Sequence, residues 1–284
     1  MAAAIPQKSF ASGRCLVTVI GLGGEGILRT TGRASHARKV VEEALNLGIT
    51  YFDSAPAYQD SELYLGSVWK DNPAVRQEIF QAGKSASRDK KGALSDLENT
   101  LKRLQSDYLD LWQIHDLRSS KDFDEVSGPD GALEAFVAAK KEGKVRNIGV
   151  TGHHDPYILA KAVAEWPVDS VMLPVNPVEE LLGGFLTTTL TEARRKKIAV
   201  IGMKILGASH YVLPEFNITA DLLIRYALSH DITVAIVGCS SPGEVQNLVK
   251  TGSSNKPITQ QEKELLLQAF KPYSSKLAFY RGVI

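Results

Sequence analysis

Short apolar runs alternate along the chain with longer segments in which apolar residues recur at helical spacing. The short runs are rich in β-branched and aromatic residues, which is typical of buried strands. They predict eight strands: Leu16–Gly21, Tyr51–Asp53, Ile79–Lys84, Leu109–His115, Val145–Thr151, Ser170–Val175, Ala199–Lys204 and Ile232–Val237. The longer segments predict the helices Ser35–Leu47, Ser61–Trp69, Ala93–Leu104, Ala132–Lys141, Tyr157–Ala164, Leu186–Arg195, Ala220–Ser229 and Gly243–Val249. Eight strand–helix units in 284 residues predict a (β/α)₈ barrel, the TIM barrel.

Another amphipathic segment, Thr259–Phe270, predicts an extra C-terminal helix packed outside the barrel. No linker or low-complexity stretch interrupts the alternation of strands and helices. We therefore expect residues 1–284 to form a single α/β domain, since barrels of this length routinely form one unit.

Composition narrows the classes of function. The formal net charge is +1 and the chain has no basic run, which argues against a nucleic-acid partner or an anionic membrane surface. No apolar stretch approaches the length that spans a membrane. The two cysteines, Cys15 and Cys239, cannot form a disulfide framework and indicate a reducing compartment. We predict a cytoplasmic protein, and the acid-free segment Met1–Gly24 leaves an organelle transit sequence open.

A glycine-rich segment matches the G-x-G-x-x-G fingerprint of dinucleotide-binding folds at Gly21-Leu22-Gly23-Gly24-Glu25-Gly26. That fingerprint requires a helix to begin at the glycines, so that its backbone amides meet a pyrophosphate. Residues 27–32 have no helical stripe, and Asp53 lies farther along than the expected interval of about 20 residues. We therefore predict a flexible loop over the barrel mouth and disfavour a Rossmann domain.

Four polar residues stand at or just beyond the ends of consecutive predicted strands: Asp53, Tyr58, Lys84 and His115. A carboxylate, a lysine and a histidine are unusual at the ends of buried strands, because burying a charge is costly unless it is paired. Side chains alternate along a strand, so the faces that carry Asp53, Lys84 and His115 can all point into the barrel. The carboxyl ends of parallel strands meet at one edge, where α/β proteins place their chemistry.

These four residues are together suited to donating a proton to a substrate. A free phenol has a pKa of about 10, and a lysine ammonium beside Tyr58 is expected to lower that pKa by stabilising the phenolate. Asp53 would keep Lys84 charged, and His115 can hydrogen-bond the reacting oxygen. Such a tyrosine protonates a carbonyl oxygen while a hydride reaches the carbon, and does the reverse for an alcohol. Each residue alone has an ordinary structural explanation, but the four together favour the functional interpretation.

The sequence resembles the aldo-keto reductase superfamily over roughly residues 21–247. Three stretches carry the resemblance: GITYFDSAPAY (48–58) with Glu62 and Leu65-Gly66, DYLDL (107–111) leading to His115, and GKVRNIGV (143–150). The resemblance implies a barrel without a Rossmann domain that binds NADPH or NADH in extended form. It also implies that Tyr58 is the general acid/base, that Asp53 and Lys84 tune it, and that His115 orients the carbonyl.

The resemblance further implies a set of nicotinamide-cofactor contacts: Gly23, Gly24, Asp53, Thr151, Met172, Lys204, Ile205, Leu206, Gly207, Gly238, Ser240, Glu244 and Asn247. Thr151-Gly152 and Met172 stand where the family often has Ser-Asn and Gln to hold the nicotinamide amide. Glu244 stands in the segment where NADPH-selective members usually have Lys or Arg to bind the 2′-phosphate. The expected cofactor is therefore NADP(H) or NAD(H), with NADH a serious candidate.

Two alternatives remain beside a carbonyl reductase or alcohol dehydrogenase. A Schiff-base lyase would use Lys84 or Lys204 as its nucleophile, and a barrel that keeps its cofactor but has little turnover would be a regulatory or binding subunit. The expected substrate is a small-molecule aldehyde, ketone or sugar, or an alcohol. His153 and His154 lack a clear third ligand and carboxylate, so no metal site is expected. The oligomeric state is left open.

Overall fold

Eight parallel strands close into a barrel in the computed structural model, which describes residues 4–11, 15–254 and 256–282. The described residues form ten strands in all: β1 (Gln7–Phe10) and β2 (Cys15–Thr18), which pair as an antiparallel hairpin, and the barrel strands β3 (Ile20–Gly26), β4 (Tyr51–Asp53), β5 (Phe80–Ser85), β6 (Leu109–Ile114), β7 (Val145–Thr151), β8 (Ser170–Pro174), β9 (Ala199–Met203) and β10 (Val234–Cys239). Strands β3 to β10 follow one another around the barrel, and β10 pairs with β3 to close it. The predicted (β/α)₈ barrel is confirmed.

Helices follow the barrel strands and surround them. They are α1 (Ala34–Asn46), α2 (Ser61–Asp71), α3 (Pro73–Glu78), α4 (Lys90–Leu104), α5 (Ser120–Ser127), α6 (Ala132–Lys141), α7 (Pro156–Glu165), α8 (Pro177–Leu182), α9 (Leu190–Lys196), α10 (Ala220–Leu228), α11 (Pro242–Gly252), α12 (Gln260–Phe270) and α13 (Ser274–Leu277). Helix α1 contacts both α2 and α11, which continues the outer ring across the point where the barrel closes. Within the described ranges, none of the helices combines the length and the apolar character that a membrane crossing requires.

The predicted C-terminal helix is present as α12, which packs against α8. Thr259 caps its first turn, because its hydroxyl oxygen accepts a hydrogen bond from the Glu262 N–H at 3.2 Å. The Glu262 carboxylate in turn accepts from the Thr259 N–H at 2.9 Å, so two donors that the helix leaves unpaired are satisfied. That residues 1–284 form one domain stays a prediction.

The prediction for the first strand was wrong. The segment Leu16–Gly21 spans most of β2 and only the start of β3, while the glycine-rich segment forms the barrel strand β3 instead of a loop. Gly24 of this strand allows Tyr58 to pack closely, because a Cβ on Gly24 would lie 2.4 Å from Cδ2 of Tyr58. A single turn of 3₁₀-helix, Ile27–Arg29, follows this strand in place of the α-helix that a Rossmann fingerprint requires. The other seven barrel strands agree with their predicted bounds to within two residues.

The hairpin of β1 and β2 closes the N-terminal end of the barrel. Phe10 and Val17 are buried in the same apolar cluster as Tyr51, Phe80 and other residues of the barrel interior. The ring of Phe10 lies 4.5 Å from that of Phe80, measured between centroids. Because this end is filled with apolar side chains, the carboxyl ends of the strands are left as the open mouth.

Alternating side chains line the inside of the barrel as the sequence predicted. Tyr51, Phe80, Ala82 and Leu111 all belong to the interior cluster, whereas Phe52 packs outward with the helices. Two residues beyond Tyr51 and Ala82 on the same strand faces come Asp53 and Lys84. The interior therefore changes from apolar to charged as it approaches the mouth.

On the outer side of the barrel, the buried Asp110 of β6 connects this strand to β5 and to two arginines. The Asp110 carboxylate, 1% exposed, accepts hydrogen bonds from Nη1 of Arg76 at 2.8 Å and Nη1 of Arg146 at 2.7 Å. It also accepts from the backbone N–H of Gln81 at 3.0 Å, which connects the side chain to β5. Arg76 is itself buried, so its charge depends on Asp110 for a partner.

We expect Asp110→Ala to lower the free energy of unfolding by about 3–5 kcal/mol, because it leaves the buried Arg76 guanidinium without its carboxylate. Urea denaturation of the two proteins measures the difference. Asp107→Ala is the matched control, since Asp107 is exposed, and should change the free energy by no more than about 0.5 kcal/mol. Equal effects of the two substitutions would contradict the role of Asp110 as the partner of the buried Arg76 charge.

Candidate active site

A buried ion pair lies at the carboxyl ends of β4 and β5. Nζ of Lys84 donates to Oδ2 of Asp53 at 2.6 Å and to the carbonyl oxygen of Ser54 at 3.0 Å. Asp53 is 1% exposed and Lys84 is fully buried. Burial raises the pKa of Asp53 and lowers the pKa of Lys84, and in both cases the partner's charge opposes the shift. The pair therefore keeps two charges in a place where neither would be stable alone.

Tyr58 reaches this pair from the loop after β4. The loop turns back tightly, because the N–H of Tyr58 donates to the carbonyl of Ala55 at 3.0 Å. The phenol ring packs on Gly24 of β3, and Nζ of Lys84 lies 4.8 Å from the ring centroid. The hydroxyl is 3.5 Å from Nε2 of His115, at the outer limit of a hydrogen bond.

The charge around Tyr58 differs from the sequence-based expectation. Burial first, and then the carboxylates of Asp53 and Glu25, hold the pKa of Tyr58 well above that of a free phenol, while Arg29 acts in the opposite direction. We expected the pKa of Tyr58 to be lowered by Lys84, and instead burial and the two carboxylates outweigh the ammonium and raise it. The physical reason is geometric: the ammonium is directed at Asp53 and Ser54 and lies over the ring. The phenol is therefore protonated at physiological pH.

His115 follows β6, and its backbone is fixed from two sides. Its N–H donates to the carbonyl of Ser85 at 2.8 Å, and its own carbonyl accepts from Nη1 of Arg88 at 2.9 Å. Burial, followed by the positive charge of Lys84, lowers the pKa of His115 to about 3. The imidazole is therefore neutral at physiological pH, with one ring nitrogen able to donate and the other to accept.

The positions expected to contact a nicotinamide ring lie beside the catalytic candidates. Gly23 and Gly24 belong to β3, where Gly24 touches Tyr58. Thr151 ends β7 opposite Met172 of β8 in the strand register. The Thr151 hydroxyl oxygen accepts from the backbone N–H of Asp116 at 2.8 Å, and Met172 packs in the barrel interior.

The segment after β9, Lys204–Gly207, is held in an unusual backbone conformation. Lys204 has φ of +56°, and its carbonyl accepts from Nδ2 of the buried Asn176 at 3.1 Å. Ile205 is buried and Leu206 partly exposed. Gly207 has φ of +53°, and a Cβ there would lie 2.6 Å from the ring of Tyr211. The segment is therefore fixed against the wall of the mouth.

The end of β10 and the start of α11 carry the remaining candidates. Gly238 packs against the backbone of Glu25. The Glu244 carboxylate folds back to accept from the backbone N–H of Ser240 at 2.7 Å, while the Ser241 hydroxyl accepts from the N–H of Glu244 at 3.3 Å. Asn247 is exposed one turn further along α11. This helix N-terminus therefore carries a negative charge of its own.

Sequence reasoning named His153 and His154 but missed their partner Asp116. With the backbone of the C-terminal residues Tyr280 and Arg281, these side chains form a second polar group at the mouth. Oδ1 of Asp116 lies 3.1 Å from Nε2 of His153 and 3.3 Å from Nε2 of His154. Asp116 directly follows His115, so its place after a strand was the signal that could have revealed it. The approach of Tyr280 and Arg281 joins residues 127 positions apart and left no trace in the local sequence.

The profile of the aldo/keto reductase family matches residues 19–212. The chain belongs to this family. A methylglyoxal reductase of Salmonella typhimurium is 33% identical over 117 residues, which are 40% of each chain. The L-galactose dehydrogenase of Arabidopsis thaliana is 33% identical over 150 residues, 48% of this chain and 45% of that protein. The chain thus spans less than half the length of these two relatives.

A longer match and a solved structure support the same family. A methylglyoxal reductase of Escherichia coli O157:H7 is 26% identical over 235 residues, 80% of this chain and 81% of that protein. The holo form of an aldo-keto reductase from Bacillus halodurans has a TM-score of 0.75 at 21% identity and covers 93% of this chain and 96% of its own. At that identity the structural likeness shows the fold.

We expect Asp53→Leu and Lys84→Met each to lower the free energy of unfolding by about 3–5 kcal/mol, because each leaves one buried charge unpaired. The double variant should lose less than the sum of the two, since no charge then remains. Chemical denaturation of the four proteins completes the double-mutant cycle. Losses that simply add would mean that the two charges do not depend on each other.

Proposed function

We propose that the chain is an NAD(P)(H)-dependent oxidoreductase that interconverts a carbonyl and an alcohol by hydride transfer, with Tyr58 as general acid/base. The observation that carries the proposal is the meeting of the Tyr58 hydroxyl and Nε2 of His115, 3.5 Å apart, beside the buried Asp53–Lys84 pair. Membership of the aldo/keto reductase family supports the same reaction class. The two groups are close enough for one substrate oxygen to reach both.

Tyr58 and His115 would handle the reacting oxygen. In the direction of reduction, Tyr58 donates its hydroxyl proton to the carbonyl oxygen as negative charge develops there. Neutral His115 donates a hydrogen bond from Nε2 to the same oxygen and fixes its position. Lys84, 4.8 Å from the Tyr58 ring centroid, stabilises the phenolate that remains. Asp53 positions Lys84 and keeps it charged.

The residues around Asp53 fit a bound nicotinamide cofactor. Oδ1 of Asp53 is buried and has no hydrogen-bond partner among the described residues, so it offers an acceptor at the cofactor position. Gly23 and Gly24 of β3 would lie beside it, together with Thr151 and Met172. We assign Lys204–Gly207 to its phosphates and Gly238, Ser240, Glu244 and Asn247 to its adenosine end. When bound, the cofactor supplies or accepts the hydride.

We propose that NAD(H) serves at least as well as NADP(H). The Glu244 carboxylate already caps the start of α11, where a 2′-phosphate would otherwise find backbone donors. Residues 238–249 contain no lysine or arginine to offset that charge. A ribose hydroxyl, in contrast, can donate to a carboxylate.

The proposed substrate is a small carbonyl compound or the corresponding alcohol. The relatives named above act on methylglyoxal and L-galactose according to their names, and these two compounds head the panel to be tested. The Schiff-base alternative is disfavoured, because Lys84 is held as a charged donor by Asp53 and Ser54. That the chain forms a single domain and that it is cytoplasmic both stay predictions.

The reaction itself is tested by following the absorbance of the reduced cofactor. Purified protein is mixed with NADH or NADPH and a panel of small aldehydes, ketones and sugars, and then with NAD⁺ or NADP⁺ and the corresponding alcohols. We expect turnover with at least one substrate and no covalent trapping of a carbonyl by borohydride. Cofactor binding without any turnover would favour a binding subunit, and borohydride trapping at Lys84 or Lys204 would favour a lyase.

We expect Tyr58→Phe to lower kcat by about a hundredfold or more, because the substitution removes the proton donor and keeps the ring. Cofactor affinity, measured by quenching of tryptophan fluorescence, should change little. Tyr157→Phe, at an exposed tyrosine of α7, is the control and should retain full activity. Unchanged kcat in Tyr58→Phe would exclude Tyr58 as the acid.

We expect Glu244→Gln to shift the ratio of NADPH to NADH affinity about tenfold toward NADPH, the equivalent of about 1.4 kcal/mol. The reason is that the substitution removes a negative charge from the proposed phosphate position. Fluorescence titrations with both cofactors measure the ratio. Glu43→Gln is the control, because Glu43 contacts the same helix through Gln246 and should leave the ratio unchanged. A ratio that did not move would place the ribose elsewhere.

A further inference from the structure

Three metal-ligand side chains converge beside the proposed active site. Asp116 lies after β6, and His153 and His154 lie after β7. Oδ1 of Asp116 is 3.1 Å from Nε2 of His153 and 3.3 Å from Nε2 of His154. All three ligand atoms lie within 4.8 Å of one another, and no other group of this kind occurs within the described ranges.

The hydrogen bonds made by Nδ1 determine which ring nitrogen of each histidine carries the proton. Nδ1 of His153 lies 2.6 Å from the carbonyl oxygen of Tyr280, and Nδ1 of His154 lies 3.0 Å from the carbonyl oxygen of Arg281. A carbonyl oxygen can only accept, so Nδ1 must be the donor in both contacts. The neutral ring then has its lone pair on Nε2, which faces Asp116. Metal-binding histidines are oriented in this same way, with the far nitrogen donating to a carbonyl.

When both rings are neutral, the lone pair of each Nε2 lies beside a carboxylate oxygen, an arrangement that needs a proton or a metal ion between them. Although Oδ1 of Asp116 and Nε2 of His154 are 3.3 Å apart, neither has a hydrogen-bond partner among the described residues, and both atoms are buried. Two ligands that are each about 2.0 Å from a tetrahedral ion lie about 3.3 Å apart. The two measured separations agree with that spacing.

We propose that Asp116, His153 and His154 bind a divalent transition-metal ion of the zinc class, contrary to the expectation from sequence. Imidazole nitrogens suit such ions, whereas Mg²⁺ and Ca²⁺ require several oxygen ligands. The second oxygen of Asp116 accepts from Nε of Arg118 at 2.8 Å, which orients the carboxylate and offsets part of its charge. An open pocket of about 440 Å³ borders Arg118 and His154 on the outer side of this group.

The ion would connect three separate parts of the chain at the barrel mouth. Two are the loops after β6 and β7, and the third is the C-terminal segment, whose carbonyls hold the histidines. That segment is itself anchored, because the Tyr280 hydroxyl donates to Oε1 of the buried Glu179 at 2.7 Å. Since His115 directly precedes Asp116, the bound ion would also stiffen the backbone that positions the proposed carbonyl-orienting residue.

Calorimetric titration of tag-free protein with zinc chloride, without cofactor or substrate, tests the proposal. We expect saturable binding of one equivalent. His153→Gln and His154→Gln should each weaken binding by about tenfold or more, since the loss of a mere orienting partner costs that much. His36→Gln is the matched control, because His36 is exposed on α1 away from the cluster, and should bind as the original protein does.

A second measurement does not depend on the folding of any variant. X-ray absorption of the original protein loaded with one equivalent of zinc should show two imidazole nitrogens and oxygen ligands around the ion, and a cobalt-loaded sample should give the strong visible bands of a tetrahedral site. Absence of saturable binding would overturn the proposal. Binding that survives both histidine substitutions would do the same. Neither result depends on the oxidoreductase activity.

Discussion

The buried pair of Asp53 and Lys84 is the interaction on which the mouth of this barrel depends. Two charges with almost no exposure are stable only together, so the ends of β4 and β5 must keep their register. The same ammonium is shared with the carbonyl of Ser54, where the loop that carries Tyr58 begins. One lysine thus joins two strands to the start of a loop. The position of the phenol follows from this arrangement.

Small residues and the charged pair hold Tyr58 from opposite sides. Gly24 of β3 allows the ring to approach closer than any side chain would permit, and Lys84 lies over the ring. This packing also explains why burial dominates the pKa of the phenol in the absence of other groups. A phenol in such surroundings keeps its proton at physiological pH. The arrangement therefore suits a group that releases its proton only as charge develops on a neighbouring oxygen.

The sequence predicted what depends on local pattern and missed what depends on distant contacts. Seven barrel strands and the shared inner faces of Tyr51, Phe80 and Leu111 followed from alternation and strand length. Strand β3 was not predicted, because its glycines do not contribute to an apolar pattern. Their small size matters instead for contacts with residues such as Tyr58, which lie far along the chain. The approach of Asp116 to His153 and the direction of the Lys84 ammonium were equally beyond local pattern. Each depends on how two strand ends or loops are placed relative to one another.

The buried ion pair and the loops of the outer mouth occupy different parts of this fold. Asp53, Lys84 and His115 stand at or just beyond strand ends, where register and buried charge allow little variation, and Tyr58 packs against them from a loop. The outer mouth consists of loops and of the C-terminal segment, whose Tyr280 contacts Asn176 and Glu179. Relatives that share stretches of the barrel bear the names of a methylglyoxal reductase and an L-galactose dehydrogenase, which are unlike substrates. The loops and the C-terminal segment can vary without disturbing the ion pair beneath them.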